Sequence, residues 1–350
     1  MSLLGGSIAA QQPSPGAEPA RSSPISQAEL IRRLSISVDS LAKAGKFSGV
    51  AVLAKNGVPV FQQAYGMADR ERRIPNNLET AFNLGSINKA FTQIAILQLS
   101  AAGKLNLDST LATYWPDYPN KAVAEKITIR QLLRHTSGIG GNIFDAPAGG
   151  SRHDVRNLKD YLALFVNEPP KFAPGTSNAY SNAGYVVLGL LIERLSGQDY
   201  YTYVREHILE PAGMTRTGSF FVDSLPPNTA IGYTTGREDA PPGAPLHPNT
   251  QELPGRGSSA GGGYSTAQDL LKFLKALREH RIPSGMPAGI GIAGGSGGIN
   301  GVVEGDLSGG YDLVVLTNLD PPAAERVARM TREWLGVRDD GGPGPRGPRR

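Results

Sequence analysis

The sequence predicts an α+β fold. An antiparallel sheet is formed from the N- and C-terminal segments and flanked by helices, with a mainly helical domain inserted between. Two observations lead there. Hairpin-like, β-branched runs occur near the two ends of the chain, around residues 48–66 and 299–320. The region between them carries helical periodicities and long polar loops. The sheet domain is accordingly expected in two halves, 26–85 and 260–337, around a helical domain at 86–259. Disordered segments are expected at 1–25 and 338–350.

The elements follow in order. "ISQAEL" spells a capping box, with Ser26 as N-cap and Glu29 three residues on, and Ile25 and Leu30 are placed as a hydrophobic staple. Leu30, Leu34, Val38 and Leu41 then recur at helical spacing down to Gly45. "SGVAVLAKNGVPVFQQAYG" reads as a hairpin turning at Asn56-Gly57. A helix from Ser86 to about Ala102 spreads Phe91, Ile94, Ile96, Leu97 and Leu99 over most of its circumference, which places it inside a domain, and Gly103 ends it. "ITIRQLLRH", "AGYVVLGLLIERLSG" and "DYYTYVREHI" are further helices, and "GYSTAQDLLKFLKALREH" opens another, capped near Ser265 or Thr266. "INGVVEGDLSGGYDLVVLTNLD" is a second hairpin, turning at Ser308-Gly309-Gly310. "PPAAERVARMTREWLG" closes with an amphipathic helix entered through prolines.

Composition narrows the function. The 350 residues, 39% hydrophobic and 19% charged, suit a soluble globular protein with a sizeable core, and no run of 18 apolar residues offers a membrane span. Of the net charge of +4, three units come from Arg346, Arg349 and Arg350 of the "GGPGPRGPRR" tail, which leaves +1 on residues 1–340. No basic face for nucleic acid is implied. The absence of cysteine excludes disulfides, thiol nucleophiles and cysteine-ligated metals. The five histidines show no metal-binding spacing, so neither metal nor cofactor is expected. "LLGGSIAA" reads as the clipped end of a secretory signal peptide, although the basic start and full apolar core of one are missing. On that reading the protein is periplasmic or secreted, and without it cytoplasmic.

The first chemical signal is Ser86-x-x-Lys89 in "AFNLGSINKAF". Residues three apart share one helix face. They stand at the amino end of an apolar helix, where backbone N–H groups and the helix dipole favour developing negative charge. A lysine drawn out of water there has a lowered pKa and can act as a base. Ser86 could equally be a helix cap, and the residues alone leave both readings open. The pattern recurs at Ser40-Leu41-Ala42-Lys43, on the polar side of the first helix, where the lysine should stay hydrated and protonated. Tyr180-Ser181-Asn182 comes 94 residues after Ser86, ahead of a buried helix. The tyrosine can relay a proton to a leaving group, and Asn182 can hold a substrate amide or ester or cap the helix. The same three-letter pattern at Tyr118-Pro119-Asn120 falls in "YWPDYPN", read as a surface turn with no helix behind it.

Ser86-x-x-Lys89 with Tyr180-x-Asn182 resembles the serine β-lactamase and penicillin-binding-protein superfamily, nearest its class C β-lactamase and family VIII carboxylesterase branch. The similarity runs from about residue 27 to 335. It includes "LLRHTSGIG", "FAPGTSNAYSNAGYVVLGLLIERLSG", "LEPAGMTRT" and "AGGGYSTAQDL". The resemblance implies Ser86 as acylated nucleophile, Lys89 as its base, Tyr180 as second proton carrier and an oxyanion hole of backbone N–H groups. His135 is read as structural and left outside the site. Where relatives carry K-T-G or H-x-G on a strand edging the site, this chain has Ile292-Ala293-Gly294. Gly295 would then give the second oxyanion N–H, and Ile292 would meet the substrate in place of a cationic or hydrogen-bonding side chain.

Three other glycine-rich patterns are set aside. G-x-G-x-x-G at 289–294 lacks the flanking strand and helix of a dinucleotide site. G-x-S-x-G at 294–298 has no histidine beyond it, and at 257–261 no strand feeds the serine. The expected function is therefore a cofactor-free serine hydrolase acting on a small-molecule substrate through a Ser86 acyl-enzyme. Small or medium acyl esters are favoured over β-lactams or D-alanyl-D-alanine-type peptides. The alternative of another class is a catalytically weak binder of peptidoglycan fragments or other ligands.

Overall fold

The computed structural model describes residues 25–237, 241, 243–286 and 289–337. The segments expected to be disordered, 1–25 and 338–350, lie outside the described residues apart from Ile25.

Helix α1 (Gln27–Lys43) starts where Ser26 Oγ accepts the Glu29 N–H at 3.2 Å. The reciprocal half of the expected capping box is replaced. The Glu29 carboxylate turns to Arg32 and Arg33 at 2.7–2.8 Å, since hydrogen bonds between two charged groups outcompete one to a backbone amide. Strands β1 (Gly49–Lys55) and β2 (Val58–Tyr65) turn at Asn56 and Gly57, whose φ values of 51° and 79° are those a two-residue primed turn demands.

A 3₁₀ turn (Gly85–Asn88) then leads into α2 (Lys89–Ala101). Helices α3 (Ile129–Leu133), α4 (Asn182–Ser196) and α5 (Tyr200–Val204) follow, the last running on through a π-helical turn at Arg205–Leu209. Helix α6 (Ala267–Arg278) is capped by Thr266, whose hydroxyl accepts the Asp269 N–H at 3.2 Å. Strands β3 (Gly291–Ser296), β4 (Ile299–Leu307) and β5 (Tyr311–Thr317) and helix α7 (Ala323–Trp334) complete the chain.

The five strands form one antiparallel sheet in the order β2-β1-β5-β4-β3. Alternation along β1 serves both faces. Ala51 and Leu53 pack with Leu34 and Val38 of α1 and Val327 of α7, while Val50 and Val52 face the larger core. That core continues without a break through α2 (Phe91, Ile94) and α4 (Val187, Leu191). The sheet is thus buried on both sides, helices outside, as expected for the α+β class.

The expectation for Tyr118-Pro119-Asn120 needs correction. Tyr118 is 2% exposed in the larger core with its ring edge-on to Trp115 at 5.0 Å, and Asn120 caps a short helix, Lys121–Ala124. The area an aromatic ring removes from water outweighs the loop-like appearance of its prolines. No helix among the described residues is long and apolar enough to cross a membrane. No cluster of metal-ligating side chains occurs among them.

Candidate active site

Ser86 stands in the 3₁₀ turn that introduces α2, not in the helix itself. The turn is seated directly on strand β3. A Cβ at Gly294 would lie 2.3 Å from the Leu84 carbonyl and 2.7 Å from the Ser86 nitrogen, so only glycine allows this approach. The hydroxyl does no capping. It accepts hydrogen bonds from Lys89 Nζ at 3.2 Å and from the Tyr180 hydroxyl at 2.5 Å. The two readings of Ser86 left open by the sequence are separated by those partners.

Lys89 is buried at the start of α2. Its Nζ also donates to Asn182 Oδ1 at 2.7 Å and to the Ala260 carbonyl. It lies 4.8 Å from the centre of the Tyr180 ring and 5.5 Å from that of Tyr185. Loss of hydration disfavours the ammonium form and pushes its pKa down to about 7. Tyr180 moves the other way. Its side chain is 40% exposed, but the hydroxyl turns inward, and burial raises its pKa against the opposing pull of the Ser86 hydrogen bond. Two groups pushed apart in this manner divide the roles. Lys89 is available as base near neutrality, and Tyr180 keeps its proton to give away.

Asn182 is released from capping because Ser181 does it, its Oγ accepting the Gly184 N–H at 3.0 Å. Asn182 Oδ1 is therefore free to hold Lys89. The second S-x-x-K copy behaves as expected of a surface pair. Ser40 is exposed, and Lys43 is bound to Asp39 at 2.7 Å, which raises its pKa.

A cavity of about 260 Å³ opens beside Ser86 and is lined by Asn182, Gly295, Ser296 and Gly297, with an apolar wall that includes Phe144, Phe220, Val222 and Leu253. Ile292 belongs elsewhere. It is half-buried, packed against the larger core and outside the cavity lining, so the apolar contact expected of it comes from the aromatic wall. Positions 292 and 294 share one sheet face, and Ile292 falls against the core while Gly294, which has no side chain, falls under the nucleophile turn.

Sequence reasoning left out His135, which the structure places against Tyr180. The imidazole lies between Tyr180 and Tyr185, ring centres 4.6 and 5.1 Å away. Its carbonyl accepts the Ala179 N–H at 3.0 Å and its Nδ1 accepts the Ser181 N–H at 3.2 Å, so both neighbours of Tyr180 are fastened to one residue. Burial, aided by the Lys89 charge, lowers its pKa to about 4, which keeps the ring neutral and Nδ1 an acceptor. A signal was available. His135 follows α3 at φ 59°, where glycine or asparagine is usual, and a histidine there needs a reason other than ending a helix. His135→Asn keeps the left-handed backbone tolerable but removes the ring. It is expected to lower kcat roughly two- to tenfold, the worth of a stacked ring pair, with KM unchanged. Steady-state kinetics on an activated ester check this.

The comparisons agree with the geometry. A family model described as Beta-lactamase matches residues 37–315. The esterase EstB of Burkholderia gladioli is 31% identical over 344 residues, covering 89% of this chain and 86% of that protein. The penicillin-binding protein PbpX of Bacillus subtilis (strain 168) is 36% identical over 238 residues, covering 68% of this chain, and the match spans 56% of PbpX. The crystal structure of a penicillin-binding protein from Bacillus halodurans superposes with a TM-score of 0.73 at 31% identity, covering 85% of this chain and 98% of the other. With its serine, lysine and tyrosine joined at one hydroxyl oxygen, this chain belongs to the Beta-lactamase family of serine hydrolases.

Proposed function

We propose that the protein is an esterase that hydrolyses small or medium acyl esters through an acyl-enzyme on Ser86. The observation that carries the reading is the convergence of Lys89 Nζ and the Tyr180 hydroxyl on Ser86 Oγ, at 3.2 and 2.5 Å. Neutral Lys89 takes the Ser86 proton as Oγ attacks the ester carbon. The oxyanion is held by the backbone N–H groups of Ser86 and Gly295. Tyr180 gives its proton to the departing alkoxide and is restored by the proton on Lys89. Water then attacks the acyl-enzyme, giving one proton to Lys89 and releasing the acid, and Ser86 Oγ is reprotonated.

The preference for esters rests on strand β3. β-Lactams and D-alanyl peptides carry a carboxylate next to the bond that breaks, and Gly291–Ser296 ("GIAGGS") offers it no cationic side chain. A charge-assisted hydrogen bond of that kind is worth ~1.5–3 kcal/mol. The kcat/KM for p-nitrophenyl butyrate is therefore expected to exceed that for a chromogenic cephalosporin by at least about tenfold. A cephalosporin turned over faster would move the assignment to a β-lactamase or peptidase. Labelling of Ser86 by a fluorophosphonate, checked by peptide mass, separates either enzyme from a mere binder.

A further inference from the structure

We propose that Arg152 is an anion-binding residue at the acyl end of the cavity, so that the preferred acyl groups end in a carboxylate. This rests on the esterase reading and names the substrate class for the same site.

Arg152 lines the cavity that Ser86 opens into. It takes part in no ion pair among the described residues, and one hydrogen bond is formed by its guanidinium, from Nη1 to the backbone carbonyl of Glu252. Four of its five N–H donors remain for a ligand. The guanidinium also stands on a rigid support. Arg152 begins a 3₁₀ turn (Arg152–Asp154) whose entry is fixed by reciprocal bonds between Ser151 and the 153–154 segment. That turn is laced to the facing loop. The Gly255 N–H donates to the Arg152 carbonyl at 3.1 Å, the Arg256 N–H to the Val155 carbonyl at 3.1 Å, and His153 Nε2 meets the Thr250 carbonyl at 3.0 Å. Holding the cation in place before binding removes most of the ordering cost that a surface arginine carries.

Of the charged side chains on this wall, Arg152 is the one with neither an ion-pair nor a ring partner among the described residues. Glu252 lines the same cavity, and its Oε1 meets His247 Nε2 at 3.1 Å. Arg256, the other arginine of this wall, stacks on Tyr201 with its guanidinium carbon 3.5 Å from the ring centre, and its Nε donates to the Ser219 carbonyl. It is turned away from the cavity. The side of the scissile bond follows from Tyr180, which hands its proton to the leaving group and does not line the cavity, whereas Asn182 does. The cavity therefore receives the acyl group. An acyl chain passing the apolar wall and ending at a fixed guanidinium is a half-ester of a dicarboxylic acid.

The test compares two activated esters of equal chain length, mono-p-nitrophenyl glutarate and p-nitrophenyl valerate, on the wild type and on Arg152→Gln. The ratio of kcat/KM, glutarate over valerate, is expected to fall at least about tenfold in the variant, the factor a charge-assisted hydrogen bond supplies. An unchanged ratio, with both esters slowed equally, would overturn the proposal and leave Arg152 as a staple between two loops. A second measurement does not need turnover. Calorimetry should show glutarate binding to the wild type and no binding to Arg152→Gln, and wild type that fails to bind glutarate overturns the proposal. Should the wild type cleave neither ester, the esterase reading falls, and glutarate binding still decides Arg152.

Discussion

Ser86→Ala is expected to lower kcat/KM for p-nitrophenyl butyrate by about four to six orders of magnitude, as loss of the nucleophile does in serine hydrolases generally. The oxygen removed is the meeting point of Lys89 Nζ and the Tyr180 hydroxyl, and among the described residues no second hydroxyl is held by both. The backbone of the turn is secured independently by the Ile87 N–H to the Leu84 carbonyl at 3.1 Å and by its contact with Gly294, so the far-ultraviolet spectrum and melting temperature should stay near those of the wild type. Ser40→Ala is the matched control. Its S-x-x-K copy lies on the exposed side of α1 and should retain full turnover. Substantial ester hydrolysis by purified Ser86→Ala would mean that another group is the nucleophile.

Lys89→Arg should cost at least about a hundredfold to ten-thousandfold in kcat, the usual range for a general base, because a guanidinium keeps its proton at every working pH. The wild-type pH profile gives the same hypothesis an independent hold. With the Lys89 pKa lowered to about 7, kcat/KM should rise tenfold per pH unit below that value and level off above it. The plateau should last past pH 10, since burial raises the Tyr180 pKa beyond its ordinary value. The linkage to stability has a defined sign. Between the free-lysine value of 10.5 and about 7 the unfolded chain binds a proton that the folded chain does not, so the wild type gains stability as pH rises across that interval. Lys89→Met, which has no proton to bind, should lack that increment in chemical denaturation at pH 7 and pH 10. An arginine variant with near-native rates would remove Lys89 from its role.

Much of this was legible from residue pattern. The caps at Ser26 and Thr266, the Asn56-Gly57 turn and the apolar circumference of α2 are local effects, and local effects are written locally. Ser86, Lys89 and Asn182 could be singled out because each breaks a local rule: a polar side chain where an apolar helix begins. What escaped depends on tertiary contact. Tyr118 looked like a loop residue until the core that covers it was assembled. Strand β3 has little strand propensity, with three glycines in six residues, and forms because β4 pairs with it and the nucleophile turn needs its bare backbone. Ile292 was assigned to the substrate by its position in a motif, whereas its side chain packs on the core and the cavity is lined by Gly295 and Ser296 of the same strand. His135 and Arg152 act through what they touch, at sequence separations of 46 and 100 residues from their partners.

The sheet order also has a consequence for how the protein comes into being. Strand β5 is the last to be synthesised, yet it stands between β1 and β4 and joins the two halves. A chain emerging from the ribosome therefore carries Ser86, Lys89, Tyr180 and Asn182 well before it can close the sheet. Until residue 317 is free, the inner edge of β1 has no strand partner, and β3 and β4, on which the nucleophile turn rests, are not joined to the amino-terminal strands. Long-range pairings of this kind form late and leave open strand edges meanwhile, which is when chaperones act on growing chains. The strand that seats the nucleophile turn is thus tied to the amino-terminal strands only through the two that follow it in the chain.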